Sequence, residues 1–253
     1  VPMGCAIWSA STNVMLDFPL LFFVRFFKNH GLLSINNRPQ WRVIQGGSSR
    51  YLKPLSQSFS EKIRTSSDIQ SVERRSGQVL LHMGSGSVEI FDQVILACHS
   101  DQALALLKDP NKSEKDILEA IPYNNNEVVL HTDTSLLPKN RLTWSSWNYL
   151  LDNNSNNPPA LTYNMNILQG IDSDSTFCVT LNATDKIAPD KILGTYQYAH
   201  PMFSLASIEA SKNWDSINGN NRTWYCGAYW GNGFHEDGVS SALRVAKGLG
   251  IEW

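Results

Sequence analysis

Apolar positions recur at steps of three and four over residues 15–33, where Leu16, Leu20, Phe23, Phe27 and His30 share one face. Phe22 and Phe26 widen that face, so the pattern predicts an apolar helix there. Pro19 falls in its first turn, where a missing N–H does no harm, and Gly31 can end it. Residues 41–57 predict a short strand, a turn at Gly46-Gly47 and a helix cut short near Pro54. A β meander follows. The run "IQSVER" turns at Ser76-Gly77 into "QVLLHM", which turns at "GSG" into "SVEIF", followed by "QVILACH". Two short helices come next. Ser100 can cap "DQALALL", and Ser113 with Asp116 can cap "EKDILEAI".

From Glu127 onward the pattern becomes that of antiparallel sheet: "EVVLH", "RLTWSSW", "ALTYNMN" and "TFCVTLN", separated by Asn-, Asp- and Pro-rich turns. Leu161, Tyr163 and Met165 alternate with Thr162, Asn164 and Asn166. Phe177, Val179 and Leu181 alternate with Cys178, Thr180 and Asn182. A period of two with one apolar face predicts one packed face and one that is polar or lines a cavity. The run "NNSNNPP" reads as a flexible connection. A last helix follows "TWYCGAYWGNGFHEDG", with Val239, Ala242, Leu243, Ala246 and Leu249 as its apolar positions.

Composition narrows the class. The 253 residues, 42% hydrophobic and 17% charged, suffice for a core without disulfides or metal. The net charge of −2 argues against nucleic acid as the partner. Cys5, Cys98, Cys178 and Cys226 form no CxxC pair and read as buried free thiols in a reducing compartment. Sequons at Asn111, Asn153, Asn182 and Asn221 carry little weight in so Asn-rich a chain. The start, "VPMGCAIWSAS", has no secretory leader pattern and reads like the middle of a protein. The apolar stretch at 15–33 is broken by Asp17, Pro19, Arg25 and Lys28, so it falls short of a membrane span.

Several chemistries are excluded by spacing. His235-Glu236 does not open an HExxH, because position 239 is Val, and no histidine pair has ligand spacing, so no metal is expected. There is no G-x-S-x-G, "GGSSRY" lacks the Lys of a phosphate loop, and "GNGFHE" lacks the third glycine of a dinucleotide fingerprint. Two features remain. A strand ending at Gly227 runs through a Gly-rich aromatic loop into a helix opening with Glu236, Asp237 and Gly238. Glycines permit close backbone approach, and a helix start offers unpaired N–H groups to an anion. An ordinary capped helix fits the same residues. The second feature is aromatic density: Trp144, Trp147, Tyr149, Tyr163, Tyr196 and Tyr198 are joined by Trp224, Tyr225, Tyr229, Trp230 and Phe234 beside that loop. Core packing accounts for most of these, and a site for a flat ligand accounts for the group at the loop.

Taken in order, the segments "VPMGCAIWS", "FPLLFFVRFFKNHGLL", "PQWRVIQGGSSRYL", "FDQVILACHSDQALALL", "NEVVLHTDTSLLP", "WSSWNY", "TYNMNILQG", "FCVTLN" and "TWYCGAYWGNGFHEDGVSSALRVA" resemble the central and C-terminal part of the flavin-containing amine oxidase superfamily. The resemblance is to its branch of NAD/FAD-binding oxidoreductases associated with cyclopropane-fatty-acid synthases. It implies an α+β or α/β chain, an incomplete two-domain FAD-linked oxidoreductase fold. The β meander and the C-terminal strand and helix belong to an FAD domain (36–108 and 206–253). These are interleaved with an antiparallel-sheet substrate domain (1–35 and 109–205).

By the same resemblance FAD is the cofactor. Gly46 and Gly47 come close to the flavin and Gly227 lies beside its pyrophosphate and ribityl chain. His235, Glu236 and Asp237 present main-chain N–H groups to its pyrimidine end, flanked by Gly233 and Gly238. No catalytic residue is assigned. Classical members have Gly-x-Glu where this chain has "GAY", and "EGA" where it has "EDG". The N-terminal G-x-G-x-x-G unit is not found, so the chain reads as a fragment, inactive by itself, whose partner is a missing N-terminal FAD-binding segment. The expected reaction is oxidation of a C–H bond by hydride transfer to flavin. The substrate is a small molecule or lipid acyl chain, and the protein is cytoplasmic. The cluster Phe18, Phe22, Phe23, Phe26 and Phe27 beside Arg25 and Lys28 lines the substrate pocket, rests at a membrane surface, or is ordinary core. The alternatives are a lipid-binding or interaction module, and a methyltransferase-associated partner, both without redox chemistry.

Overall fold

The computed structural model describes residues 2–8, 10–37, 39–40, 42–150 and 160–252. The expected strand residue Trp41, the sequon at Asn153 and the connection "NNSNNPP" lie outside the described residues. By contact the chain divides into two compact units, Val1–Ile63 with Asn124–His200, and Arg64–Tyr123 with Pro201–Trp253. The first is called unit 1 and the second unit 2. These boundaries cut across the sequence-derived segments. Residues 36–63 cluster in unit 1, while 109–123 and 201–205 cluster in unit 2.

Unit 1 opens with three helices, α1 (Pro2–Trp8), α2 (Thr12–Leu16) and α3 (Leu20–Asn29). The single helix expected over 15–33 is thus broken at 17–19. Proline disfavours the helical conformation at the residue before it, here Phe18, and Pro19 becomes the N-cap of α3 with φ −60° and ψ 109°. Gly31 ends α3 as expected, at φ +65°. Its N–H donates to Lys28 O at 3.1 Å and that of Leu32 to Phe27 O at 2.9 Å, the Schellman pattern. The apolar face is rotated from the expected one. Phe18, Phe26 and Phe27 are buried, whereas Leu16 and Leu20 are exposed. Rings gather about Trp8, with Phe18 at 4.5 Å and Phe26 at 4.9 Å between centroids, so aromatic area decides which side turns inward.

No strand forms at 42–45. A turn closes from Gly47 N–H to Ile44 O at 2.9 Å, followed by a 3₁₀ turn at Ser48–Tyr51 and α4 (Leu52–Ser56), which carries Pro54. The remainder of unit 1 is a five-stranded sheet built from β5 (Tyr123–His131), β6 (Trp147–Leu150), β7 (Ala160–Asn164), β8 (Cys178–Leu181) and β9 (Ile192–Pro201), in the order β6-β7-β8-β5-β9. The pairs β6–β7, β7–β8 and β5–β8 are antiparallel. Of "RLTWSSW", residues Arg141–Thr143 form a 3₁₀ turn and only Trp147 joins β6. Met165 and Asn166 leave β7 for a short helix, α7 (Met165–Gln169).

The polar alternate positions of β7 and β8 are buried and hydrogen-bonded to one another. Thr162 and Thr180 sit opposite in register with their hydroxyls 2.8 Å apart, and His131 Nε2 lies 2.7 Å from Thr180 Oγ1. The Asp133 N–H donates to His131 Nδ1 at 3.1 Å, which fixes Nε2 as the ring's donor in the neutral form. His131 is fully buried, and burial lowers its pKa against the opposing pull of Asp133. Asp133 itself is pushed down to about 2, first by the Ala188 N–H and then by Ser135 and Lys191. Because folding lowers the His131 pKa, the unfolded chain takes up the proton first. Unit 1 therefore loses stability as pH falls below about 6.5, by up to about 1.4 kcal/mol per pH unit until the folded ring titrates. Hydrogen exchange along β5 and β8 measures this. Equal protection at pH 7 and pH 5 would refute a neutral, pinned His131.

Unit 2 carries the expected meander, β1 (Ile69–Arg75), β2 (Gln78–Met83) and β3 (Val88–Phe91), antiparallel throughout. β4 (Val94–Leu96) does not extend it but pairs in parallel with β10 (Thr223–Tyr225). The helices are α5 (Ser100–Leu106), α6 (Lys112–Glu119), α8 (Leu205–Lys212) and α9 (His235–Gly248). The helix α6 is capped two residues before Ser113. Asn111 Oδ1 accepts the Glu114 N–H at 2.9 Å, and Glu114 Oε2 accepts the Asn111 N–H at 2.8 Å, a capping box. The core joins Val72, Val79, Leu96, Ala103, Leu107, Ile117, Leu118, Ile217 and Tyr225. This packing is why residues 109–123 fall in unit 2.

Candidate functional site

In unit 2 the parallel strands β4 and β10 align Leu96 with Tyr225, so both chains leave the sheet at the same end. Carboxyl ends of adjacent parallel strands are where α/β folds place ligands. Beyond β10 the chain enters the glycine-rich loop and then α9. The Gly227 N–H donates to Ser241 Oγ at 2.8 Å, and that hydroxyl donates to Gly238 O at 2.8 Å. The pair of bonds ties the strand's end to the first turns of α9. A Cβ on Gly227 would come within 2.5 Å of the Tyr229 ring, so this close approach requires glycine.

The expected residues 227–238 thus form one local assembly. Asp237 serves the loop, since its Oδ2 accepts the Phe234 N–H at 3.0 Å and its Oδ1 accepts Asn232 Nδ2 at 3.3 Å. His235 and Glu236 project into solvent. As in any α-helix, the N–H groups of the first turn, here His235 to Asp237, have no acceptor within the helix. Gly46 and Gly47 form the turn of unit 1 described above, with φ +80° and +88°. No atom lies within 4 Å of the place a Gly47 Cβ would take.

Sequence reasoning missed Ser241 and Arg244, and named Tyr229 and Trp230 only as aromatic residues beside the loop. Ser241 is the tie just described. Tyr229 Oη and Trp230 Nε1 are buried, and neither reaches hydrogen-bond geometry with a partner. Burial raises the Tyr229 pKa, so the hydroxyl keeps its proton. A cleft of about 160 Å³ opens beside the loop, lined by Trp214, Trp230, Gly231, Asp237, Ser240, Ser241 and Arg244. Arg244 lies over the Trp214 ring at 4.1 Å and bonds Asp215 at 2.6 Å. Cys98 and Cys226 near the strand ends are free thiols whose pKa values burial raises, which leaves them protonated and weak as nucleophiles. Among the described residues, no group of three His, Cys, Asp or Glu side chains can hold a metal ion.

The assembly fits a flat, anionic cofactor on three counts. Tyr229 and Trp230 leave two buried polar groups without a bond. The start of α9 offers free main-chain N–H groups. Gly238 sits inside α9, where glycine is disfavoured, at a negative φ that any residue adopts. A Cβ there would meet nothing nearer than Ala228 N at 3.9 Å. Protein packing gives no reason for a glycine at that position, and a ligand against the helix would.

Comparison with known proteins gives the same direction. A model of the family of flavin-containing amine oxidoreductases matches residues 6–175. That span includes Gly46 and Gly47 but not the 227–238 loop. No curated protein matches the chain. Among solved structures, cyclohexylamine oxidase from Brevibacterium oxydans superposes with TM-score 0.56 at 12% identity, covering 93% of this chain and 61% of its own. The fatty acid isomerase from P. acnes that produces CLA gives 0.54 at 13%, covering 73% and 47%. A reduced UDP-galactopyranose mutase gives 0.57 at 12%, covering 81% and 52%. The chain therefore spans about half to three-fifths of the length of these structures, and at such identities they speak for the fold. Since the family model covers most of the chain, with the fold in agreement, the chain belongs to the flavin-containing amine oxidoreductases.

Proposed function

We propose that this chain is the part of an FAD-dependent oxidoreductase that faces the flavin ring and the substrate, and that the substrate class is a lipid acyl chain. The observation that carries the cofactor placement is Gly238, a helix glycine where a Cβ would touch only the Ala228 main chain, at 3.9 Å. Around it, Gly227, Gly233 and the main chain of His235, Glu236 and Asp237 border the flavin. When bound, FAD supplies an acceptor for a hydride from a C–H bond. The residues of this chain orient and shield: the glycines admit close main-chain approach, and the first turn of α9 offers N–H groups and a partial positive charge to an anion. Asp237 holds the loop in shape through Phe234 and Asn232. A lipid acyl substrate is supported by the resemblance of the sequence to the branch associated with cyclopropane-fatty-acid synthases. An amine is less favoured because no aromatic cage beside the flavin is assigned among these residues.

The substrate class is tested by anaerobic mixing of the flavin-loaded protein with long-chain fatty acids and with primary amines. Loss of flavin absorbance with the fatty acids is expected, and loss with the amines alone would overturn it. A further expectation concerns the cofactor. The 253 residues contain no G-x-G-x-x-G to cradle a pyrophosphate, so expressed by themselves they bind FAD weakly or not at all and are inactive. A purified 253-residue chain that keeps stoichiometric FAD through gel filtration would contradict this.

A further inference from the structure

Between Asp17 and Glu61 the sequence carries six basic residues, Arg25, Lys28, Arg38, Arg42, Arg50 and Lys53, and no Asp or Glu, within a chain of net charge −2. The helix α3 lies at the start of this acid-free stretch. Its phenylalanines face inward on Trp8 and on one another, Phe23 stacking on Phe27 at 4.1 Å. What remains outward is aliphatic and basic. Leu20 is 74% exposed, Leu21 72% and Val24 39%, and Arg25 and Lys28 are exposed on the same arc of the helix. At 100° per residue these five positions span roughly 140°, the phenylalanines occupying the opposite side. Leu16, at the end of α2, is exposed just before them.

We propose that the outward face of α3 docks on an anionic bilayer surface. Aliphatic residues interleaved with cations suit the boundary between headgroups and acyl chains, where the side chains of Leu20, Leu21 and Val24 enter and the long stems of Arg25 and Lys28 reach back to phosphates. The acid-free stretch supplies the charge complementarity, because an anionic leaflet attracts clustered Lys and Arg. With 10 residues, α3 rests on the surface instead of crossing it, and among the described residues no helix is long and apolar enough to span a membrane. A protein partner or a second copy would have to match both the aliphatic ridge and its cations. The inference is independent of the flavin assignment.

The test is flotation of the 253-residue chain with vesicles of phosphatidylcholine, with or without about one-third phosphatidylserine. Expected is binding to the anionic vesicles that falls at least about tenfold when salt rises from about 0.1 M to about 0.5 M. Leu20→Gln with Leu21→Gln, and separately Arg25→Gln with Lys28→Gln, are each expected to weaken that binding at least about tenfold. All four side chains are exposed, so these variants keep the Trp8 aromatic cluster, and an unchanged tryptophan emission confirms it. No binding to either vesicle overturns the proposal. So does binding that the variants leave unchanged, or a concentration-dependent dimer that the same variants dissolve.

Discussion

Replacement of Glu114 by Gln is expected to cost about 3–5 kcal/mol of stability, the range for breaking one partner out of a buried ion pair. Arg74 lies on β1 and Glu114 on α6, and both are buried. The guanidinium grips the carboxylate with two bonds, Nη1 to Oε1 at 2.7 Å and Nη2 to Oε2 at 2.9 Å. Tyr225 Oη donates to Glu114 Oε1 at 2.8 Å, and Arg74 also reaches Asp109 Oδ1 and its carbonyl, each at 2.8 Å. A neutral amide would take away the buried carboxylate and leave the guanidinium with only the half-exposed Asp109, at 2.8 Å, as counter-charge. For unit 2 this means a thermal midpoint lower by roughly 13–20 °C. The double variant Arg74→Met, Glu114→Leu is expected to lose less than Glu114→Gln alone, because no isolated charge stays inside. The pH dependence has a definite sign. Burial raises the Glu114 pKa, but the bonds from Arg74, Asn111 and Tyr225 outweigh it, and the net shift is downward. The stabilisation is therefore complete above the unfolded carboxylate value, near 4.3, and is lost as pH falls below that value toward the folded one. Equal denaturant midpoints for wild type and Glu114→Gln at pH 7 would remove this pair from the account of unit 2.

Gly238→Ala and Gly238→Val are expected to separate stability from cofactor binding. In the flavin-loaded protein Gly238→Ala raises helix stability by up to about 1 kcal/mol, since alanine is the better helix former. The same methyl group fills the space that the flavin needs, and occupancy falls; with Val the fall exceeds about tenfold, equivalent to loss of one charge-assisted hydrogen bond of about 1.5–3 kcal/mol. Gly233→Val is expected to lower occupancy for a second reason, because φ there is +92° and a Cβ would sit 3.4 Å from the Phe203 ring. Glu236→Gln, whose side chain is exposed, is expected to do less harm than either. Flavin content and reduction potential are the readouts, the potential moving downward where main-chain N–H groups are lost to the reduced ring. Wild-type values in both Gly238 variants would place the cofactor elsewhere.

The parts of the fold legible in the sequence are those encoded by local pattern. The turns at Ser76-Gly77 and Gly84–Gly86 delimit β1, β2 and β3 because alternation and turn glycines are read within a few residues. What escaped is long-range or competitive. Nothing local announces that "QVIL" pairs in parallel with "TWY", more than a hundred residues away. The periodicity of 15–33 counted leucines and phenylalanines alike, while the rings about Trp8 chose the phenylalanine side. The alternation of β7 and β8 was visible, but not that Thr162, Thr180 and His131 would satisfy one another and bury the polar face. The Arg74–Glu114 pair left one readable trace, the Asn111-x-x-Glu114 capping box. At the site, the glycine pattern from 227 to 238 was legible because backbone freedom is written in residue type. Tyr229 and Trp230 as unpaired buried groups were not, since their isolation depends on what surrounds them.

The most direct measurement is the absorption spectrum of the protein as its cell produces it, followed by release of the chromophore on denaturation. The expected result is a two-banded flavin spectrum, with FAD released in one equivalent per chain. Protein that is folded, colourless and unable to take up added FAD would contradict the central claim and leave the loop from Gly227 to Gly238 as ordinary packing.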